Sequence, residues 1–152
     1  MFENDYLMRM ILQLAEAIRK SLMKGHKDVY SELHDIERAI GDAVDMDPQL
    51  LLSLAPESVV SMLQLGSFDE QLGGFVVRAL FYEAGLLEEQ NRFGTADLRR
   101  AQANAIAQAY SIDVSIADAS PEALEEFVKQ WDAQHDTNYR SDEDSTALGF
   151  LG

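Results

Sequence analysis

Three histidines, the residue type that most often binds metals and transfers protons near neutral pH, occur in the 152-residue chain. They are His26, His34 and His135, too few and too far apart in sequence for an obvious metal centre. His34 shares a helical face with Glu37 at the spacing i, i+3. A di-metal site in a helix bundle requires Glu-x-x-His motifs with further carboxylates, and this sequence contains no Glu-x-x-His. The histidines therefore predict no metal site.

Two acidic clusters contain the residue types of a cation site. The segment 142–147 begins like a calcium-binding loop, with aspartates at its first and third positions, but an alanine occupies the position that requires glycine. Asp42, Asp45 and Asp47 cluster near a predicted helix end. Capping by Asp47 of a helix that starts at Pro48 is the simpler interpretation there. Neither cluster predicts a bound cation.

Other catalytic and cofactor-binding patterns are missing from the sequence. It contains no phosphate-binding glycine loop, dinucleotide fingerprint, nucleophile elbow or zinc-ligand spacing, so we predict no catalytic residue, metal ligand or cofactor. A helix bundle can still build a pocket from side chains far apart in sequence. The candidate polar contacts for such a pocket, or for a protein interface, are Arg78, Tyr82, Arg99, Arg100 and His34. The Arg99-Arg100 pair either binds an anion or balances nearby carboxylates such as that of Glu88.

Composition and charge restrict the classes of function. Hydrophobic residues make up 47 % of the chain, which excludes global disorder, and no apolar run approaches the ~20 residues of a membrane span. The net charge of −15 makes nucleic-acid binding unfavourable. Residues 1–27 carry a net +2 and the remainder −17, so only the first helix can face an acidic partner. With no cysteine and no secretion signal pattern, we expect a cytoplasmic protein without membrane or nucleic-acid partners.

The stretch from Phe68 to Tyr110 predicts two helices closed into a hairpin. Its first half is apolar on nearly every face, which is typical of a helix surrounded by other helices. Gly73-Gly74 predicts a bend, a break or a close backbone contact, and we expect the main helix to run from about Phe75 to Asn91. We expect Thr95 to cap the second helix, whose many alanines allow a neighbouring helix to approach closely.

Apolar periodicity predicts further helices around this hairpin. One apolar stripe runs from about Asp5 to Lys24 and another from Asp28 to Val44, and the short connection between them predicts an antiparallel pair. Pro56 starts a helix that ends at Leu65, and Ser120-Pro121 starts the last one. The predicted fold class is all-α, with about six helices in antiparallel hairpins, in a single domain over residues 1–134.

Polar side chains on these helices are predicted to face solvent. The acidic residues of the second helix are expected on its outer face, available to the basic first helix; they are Glu32, Asp35, Glu37 and Asp42. Aromatic residues with a polar tip are expected to pack the ring in the core with the tip outward; they are Tyr6, Tyr30, Tyr82, Tyr110 and Trp131. Residues 135–152 form an acidic, flexible tail in this interpretation, and its apolar end at 147–152 either docks in a groove or frays.

The central hairpin, over about residues 75–110, resembles one degenerate tetratricopeptide repeat. The family pattern of small and large residues, with an aromatic in the turn, fits Leu80, Ala84, Leu87, Phe93, Ala96 and Ala103. Asn91 stands where the family prefers glycine, Arg100 where it prefers an aromatic residue, and Gln108 where proline is common. The opening segment Asp-Tyr-Leu-Met-Arg-Met-Ile (5–11) is similar to the start of an uncharacterised family of short bacterial helical proteins that carry such a helix pair. These resemblances imply a bacterial helical protein and assign no activity.

Three functions are compatible with these patterns. The leading hypothesis is a non-enzymatic protein–protein interaction or adaptor module, because the helical hairpins come without a catalytic set. Its partner is an unidentified protein or a second copy of the chain. The alternative is a small-ligand sensor or enzyme with a pocket between helices. The third is an acidic mimic of nucleic acid that competes for a basic partner.

Overall fold

Caps, prolines and apolar periodicity set the helix boundaries in the computed structural model, which describes residues 2–24, 28–66 and 68–135. The fold is all-α, as predicted. The elements in chain order are α1 (Phe2–Lys24), α2 (Val29–Val44), α3 (Pro48–Leu51), α4 (Pro56–Leu65), α5 (Glu70–Glu89), α6 (Phe93–Ala109), a 3-10 helix (Ile116–Ala119) and α7 (Pro121–His135). The predicted turn at 25–27 and residues 136–152 of the predicted tail lie outside the described residues, whereas His135, its first residue, is the last residue of α7.

The predicted helix starts at prolines are confirmed. Asp47 Oδ1 accepts a hydrogen bond from the backbone N–H of Gln49 at 3.0 Å, with Pro48 at the start of α3. Ser120 Oγ accepts one from the backbone N–H of Ala123 at 3.1 Å, at the start of α7. Such caps satisfy backbone donors that the first turn of a helix leaves unpaired. Local sequence therefore fixes where these helices begin.

The helix α5 lies at the centre of the fold. It packs against α1, α2, α6 and the 3-10 helix, and its pairing with α6 is the most extensive helix–helix contact described. Of its 20 residues, 13 are buried, so the prediction that this helix is surrounded by others is confirmed. The buried apolar side chains form one cluster that runs from Met10 on α1 to Leu124 on α7.

Two predicted helix starts in the central hairpin are wrong. The helix α5 begins at Glu70 and continues through Gly73-Gly74, with Asp69 Oδ1 capping the N–H of Gln71 at 2.7 Å. Of the predicted alternatives for this pair, the close contact applies at Gly73, because a Cβ there would lie 2.7 Å from Cδ1 of Ile112. The helix α6 begins at Phe93 rather than after Thr95, and its N-terminus has no side-chain cap.

The turn between α5 and α6 depends on Asn91. This residue has φ = 61°, the left-handed conformation that glycine and asparagine adopt most readily.

Three alanines of the hairpin, Ala84, Ala96 and Ala103, are fully buried at 0 % exposure, so the two helices approach closely. The hairpin is thus shown as a helix pair, while its likeness to a tetratricopeptide repeat stays a prediction.

Two glycines inside helices give opposite predictions for replacement by alanine. A Cβ on Gly41 in α2 would lie 2.6 Å from Cδ of Pro48 and 2.7 Å from the backbone oxygen of Met46, so the turn after α2 would have to move. A Cβ on Gly85 in α5 meets nothing within 4 Å. We expect Gly85→Ala to raise the free energy of unfolding by about 0.5–1 kcal/mol and Gly41→Ala to lower it by about 1–3 kcal/mol. Urea unfolding of both variants measures this, and an equal stabilisation of the two would contradict it.

Candidate functional site

A buried guanidinium lies at the junction of several elements. Arg99 on α6 is 7 % exposed. Its Nη1 donates hydrogen bonds to the backbone oxygen of Leu52 at 2.8 Å and to Oε1 of Gln102 at 3.3 Å. Its Nη2 lies 3.6 Å from Oε2 of Glu37 on α2, and its Nε lies 3.3 Å from Oε1 of Glu83 on α5. Arg99 therefore joins α6 to α2, to α5 and to the end of α3.

Two carboxyl groups share this one guanidinium. Glu83 is completely buried, whereas Glu37 is partly exposed and also lies 3.5 Å from Nε2 of Gln49. Burial raises the pKa of Glu83 well above its ordinary value, and the neighbouring Glu37 carboxyl raises it further. The positive charge of Arg99 acts in the opposite direction without cancelling these effects. The arrangement favours a neutral Glu83.

Gln102 completes the cluster and was not among the predicted site residues. Its side chain is fully buried, and its Nε2 donates hydrogen bonds to the backbone oxygens of Leu52 at 3.0 Å and Leu54 at 2.9 Å. These carbonyls lie after the last residue of α3, where a helix no longer supplies donors. The sequence does carry a signal, because Gln102 falls three residues after Arg99, next to the buried Ala103.

A second buried polar cluster joins α1, α2 and α5. Ser21 Oγ donates a 2.5 Å hydrogen bond to Oε1 of Glu32 and lies 2.7 Å from the hydroxyl oxygen of Tyr82. Burial raises the pKa of Tyr82 to about 12. The predictions that Glu32 lies on the outer face of α2 and that the Tyr82 hydroxyl points outward are wrong, because these groups bond inside the fold. Core packing is also wrong for Tyr30, which is 75 % exposed.

The remaining candidates have other surroundings. Arg100 Nη2 lies 2.6 Å from Oε1 of Glu88, which confirms for this arginine the prediction that it balances a nearby carboxylate. The guanidinium of Arg78 lies 3.6 Å from the centroid of the Phe127 ring, a cation–π contact. His34 is exposed on α2. The structure therefore gives the candidate residues separate environments instead of one pocket.

An open groove of about 470 Å³ lies between α1 and the turn that follows α2. The turn takes its shape from Asp45, whose φ of 57° ends α2 and whose N–H bonds back to the carbonyls of Asp42 and Gly41. Among the described residues that line the groove, the charged ones are all aspartates, and Tyr6 on its wall is 49 % exposed. The lining residues are Tyr6, Met10, Gln13, Gly41, Asp42, Asp45, Met46 and Asp47. The cap assigned to Asp47 from sequence is confirmed, but its place in a groove with α1 was not predicted.

The described part of the chain contains neither a cluster of metal ligands nor a helix suited to span a membrane. Within residues 2–24, 28–66 and 68–135, no three or more histidine, aspartate or glutamate side chains are grouped so that they could hold a metal ion. None of the helices described there combines the length and apolar character that a membrane span requires.

The structure shows an all-α fold built on a central helical hairpin. Comparison with protein-family models, with curated proteins and with solved structures gave no match in any of the three. The similarity of segment 5–11 to a bacterial helical family therefore stays a prediction.

Proposed function

We propose that this chain is a non-enzymatic protein–protein interaction module that binds a cationic segment of a partner protein in the groove between α1 and α2. The observation that carries the proposal is the groove itself, about 470 Å³ in volume and open to solvent, in which the charged residues among the described lining are all aspartates. We place the module in the bacterial cytoplasm on the strength of its cysteine-free sequence and its opening segment.

The lining of the groove suits a basic, partly apolar segment. Asp42, Asp45 and Asp47 are exposed carboxylates at the turn, and the partly exposed Met46 supplies flexible apolar surface beside them. Lysine or arginine side chains combine a cationic head with an apolar stem, so they match both kinds of lining. A net charge of −15 also increases the rate of encounter with a basic partner.

The contacts of the candidate residues favour this function over a pocket between helices. Arg99 and Tyr82 are taken up by partners inside the fold, and Arg100 by Glu88. None of the candidate residues lines the groove. The polar groups that a small ligand would use therefore do not converge in the described part of the chain.

Removal of two groove charges is expected to weaken binding of a basic peptide by up to about tenfold, because exposed charge pairs contribute less than about 1 kcal/mol each and about 1.4 kcal/mol corresponds to a tenfold change. The probe is a labelled lysine-rich amphipathic helical peptide, titrated by fluorescence anisotropy at low and at high salt. The test variant is Asp42→Asn with Asp45→Asn, since asparagine tolerates the left-handed backbone at position 45.

The matched control is Glu57→Gln with Asp113→Asn, which removes two exposed charges away from the groove. Its affinity for the peptide should change less than about twofold. Equal losses in both variants would mean that overall acidity and not the groove attracts the peptide, which is what an acidic nucleic-acid mimic predicts. Light scattering of the free chain tests the homo-oligomer form of the proposal.

A further inference from the structure

We infer that the buried cluster of Glu83, Glu37 and Arg99 holds one proton in the folded chain and loosens the contact of α6 with α2 and α5 when that proton leaves. The cluster is a proton-sensitive link built into the fold. It is independent of the groove, whose lining contains none of these three residues.

The number of charges in the cluster is the first argument. From α5 comes the carboxyl of Glu83, from α2 the carboxyl of Glu37, and from α6 the guanidinium of Arg99. The other members, Gln102 and Gln49, are neutral. With both glutamates ionised the cluster would carry a net negative charge around the completely buried Glu83, and a buried uncompensated charge is strongly unfavourable. One proton makes the cluster neutral.

The hydrogen-bond geometry is the second argument. Both carboxyl oxygens of Glu83 are buried and accept no hydrogen bond in the described structure, and the Nε of Arg99 lies 3.3 Å away without hydrogen-bond geometry. The Nη1 of the same guanidinium is already bonded to the backbone oxygen of Leu52 and to Gln102. An ionised Glu83 would therefore lack the donors that a buried carboxylate requires, whereas a protonated one can donate to Glu37.

The direction of the pH dependence follows from this proton. An acid whose pKa is higher in the folded chain than in the unfolded chain takes up a proton on folding, and the pKa of Glu83 is raised by its burial and by Glu37. The stabilising effect of that proton is fully present at acidic pH, below the unfolded pKa. It declines as the pH rises toward the folded pKa. Above that pH two carboxylates compete for Arg99, and the contact between α6 and its neighbours weakens.

The test compares the pH dependence of unfolding in the wild-type chain and in Glu83→Gln, which imitates the protonated carboxyl. Urea unfolding is measured from about pH 5 to about pH 9, and the readout is the ratio of the two unfolding constants. This ratio is expected to change by up to about tenfold per pH unit, because the folded wild-type chain holds one proton that the folded Glu83→Gln chain does not. The matched control Glu57→Gln, an exposed residue of α4, should show a constant ratio. A constant ratio for Glu83→Gln as well overturns the inference.

A second measurement on the wild-type chain keeps the inference testable if Glu83→Gln does not fold. Carbon-13 NMR of chains labelled at the glutamate carboxyls follows each group through the same pH range. One carboxyl is expected to remain protonated well above the ordinary glutamate pKa. If every glutamate carboxyl ionises in the ordinary range, the cluster holds no proton and the inference is wrong.

Discussion

Replacing Arg99 by methionine is expected to lower the free energy of unfolding by about 3–5 kcal/mol. The change removes the guanidinium between Glu37 and Glu83 and takes one donor from the backbone oxygen of Leu52. Because methionine fills a similar volume, the lower stability would come mainly from buried polar groups left without a partner and less from a cavity. Urea unfolding followed by circular dichroism measures it.

The neighbouring arginine provides the control for this prediction. Arg100 also forms ion pairs, with Glu88 and Asp97, but its partners are 44 % and 79 % exposed. Exposed pairs contribute little, so Arg100→Met should lower the free energy of unfolding by less than about 1 kcal/mol. Equal losses for the two arginines would contradict the buried-cluster account.

The helices could be predicted from sequence because their signals are local. Proline with a preceding cap residue marks the starts of α3 and α7, and an apolar stripe marks α2. The start of α5 could not be predicted in this way. By local rules, a glycine in a helix interior predicts a break. Gly73 instead leaves space for Ile112 and Phe68, which a Cβ at this position would meet. The reason for this glycine lies in residues brought together only by folding.

The candidate site shows the same limit in sharper form. Arg99 and Arg100 are adjacent in sequence and are the same residue type, but about 100° around the helix separates the buried Arg99 from the partly exposed Arg100. The inward register of Arg99 was available from the spacing of Ala96, Ala103 and Ile106, which are all buried. Its partners were not available, since Glu37 and Glu83 belong to other helices. Sequence periodicity can indicate which polar residue turns inward, but only the fold shows what it meets.

The groove was missed for a related reason. From sequence, the cluster of Asp42, Asp45 and Asp47 predicts only a helix cap, and the cap by Asp47 is confirmed. The groove exists because α2 packs along α1 and brings the turn that follows it opposite Tyr6 and Met10. The same carboxylates therefore belong both to the turn with its helix cap and to the groove, and only the groove is relevant to binding a partner.

Replacing Phe75 by alanine is expected to lower the free energy of unfolding by about 3–5 kcal/mol, the range for deleting a buried phenylalanine ring. Phe75 is 1 % exposed, and its ring centroid lies 4.9 Å from that of Phe127 on α7. Phe127 in turn lies under the guanidinium of Arg78. The cavity left by the missing Phe75 ring would therefore weaken the packing of α7 against α5. Hydrogen exchange should show greater loss of protection in α7 than in α4. The control is Phe93→Ala, whose ring is 56 % exposed and whose loss should change stability by less than about 0.5 kcal/mol. If α7 keeps its protection in Phe75→Ala, its attachment depends on other contacts than this aromatic pair.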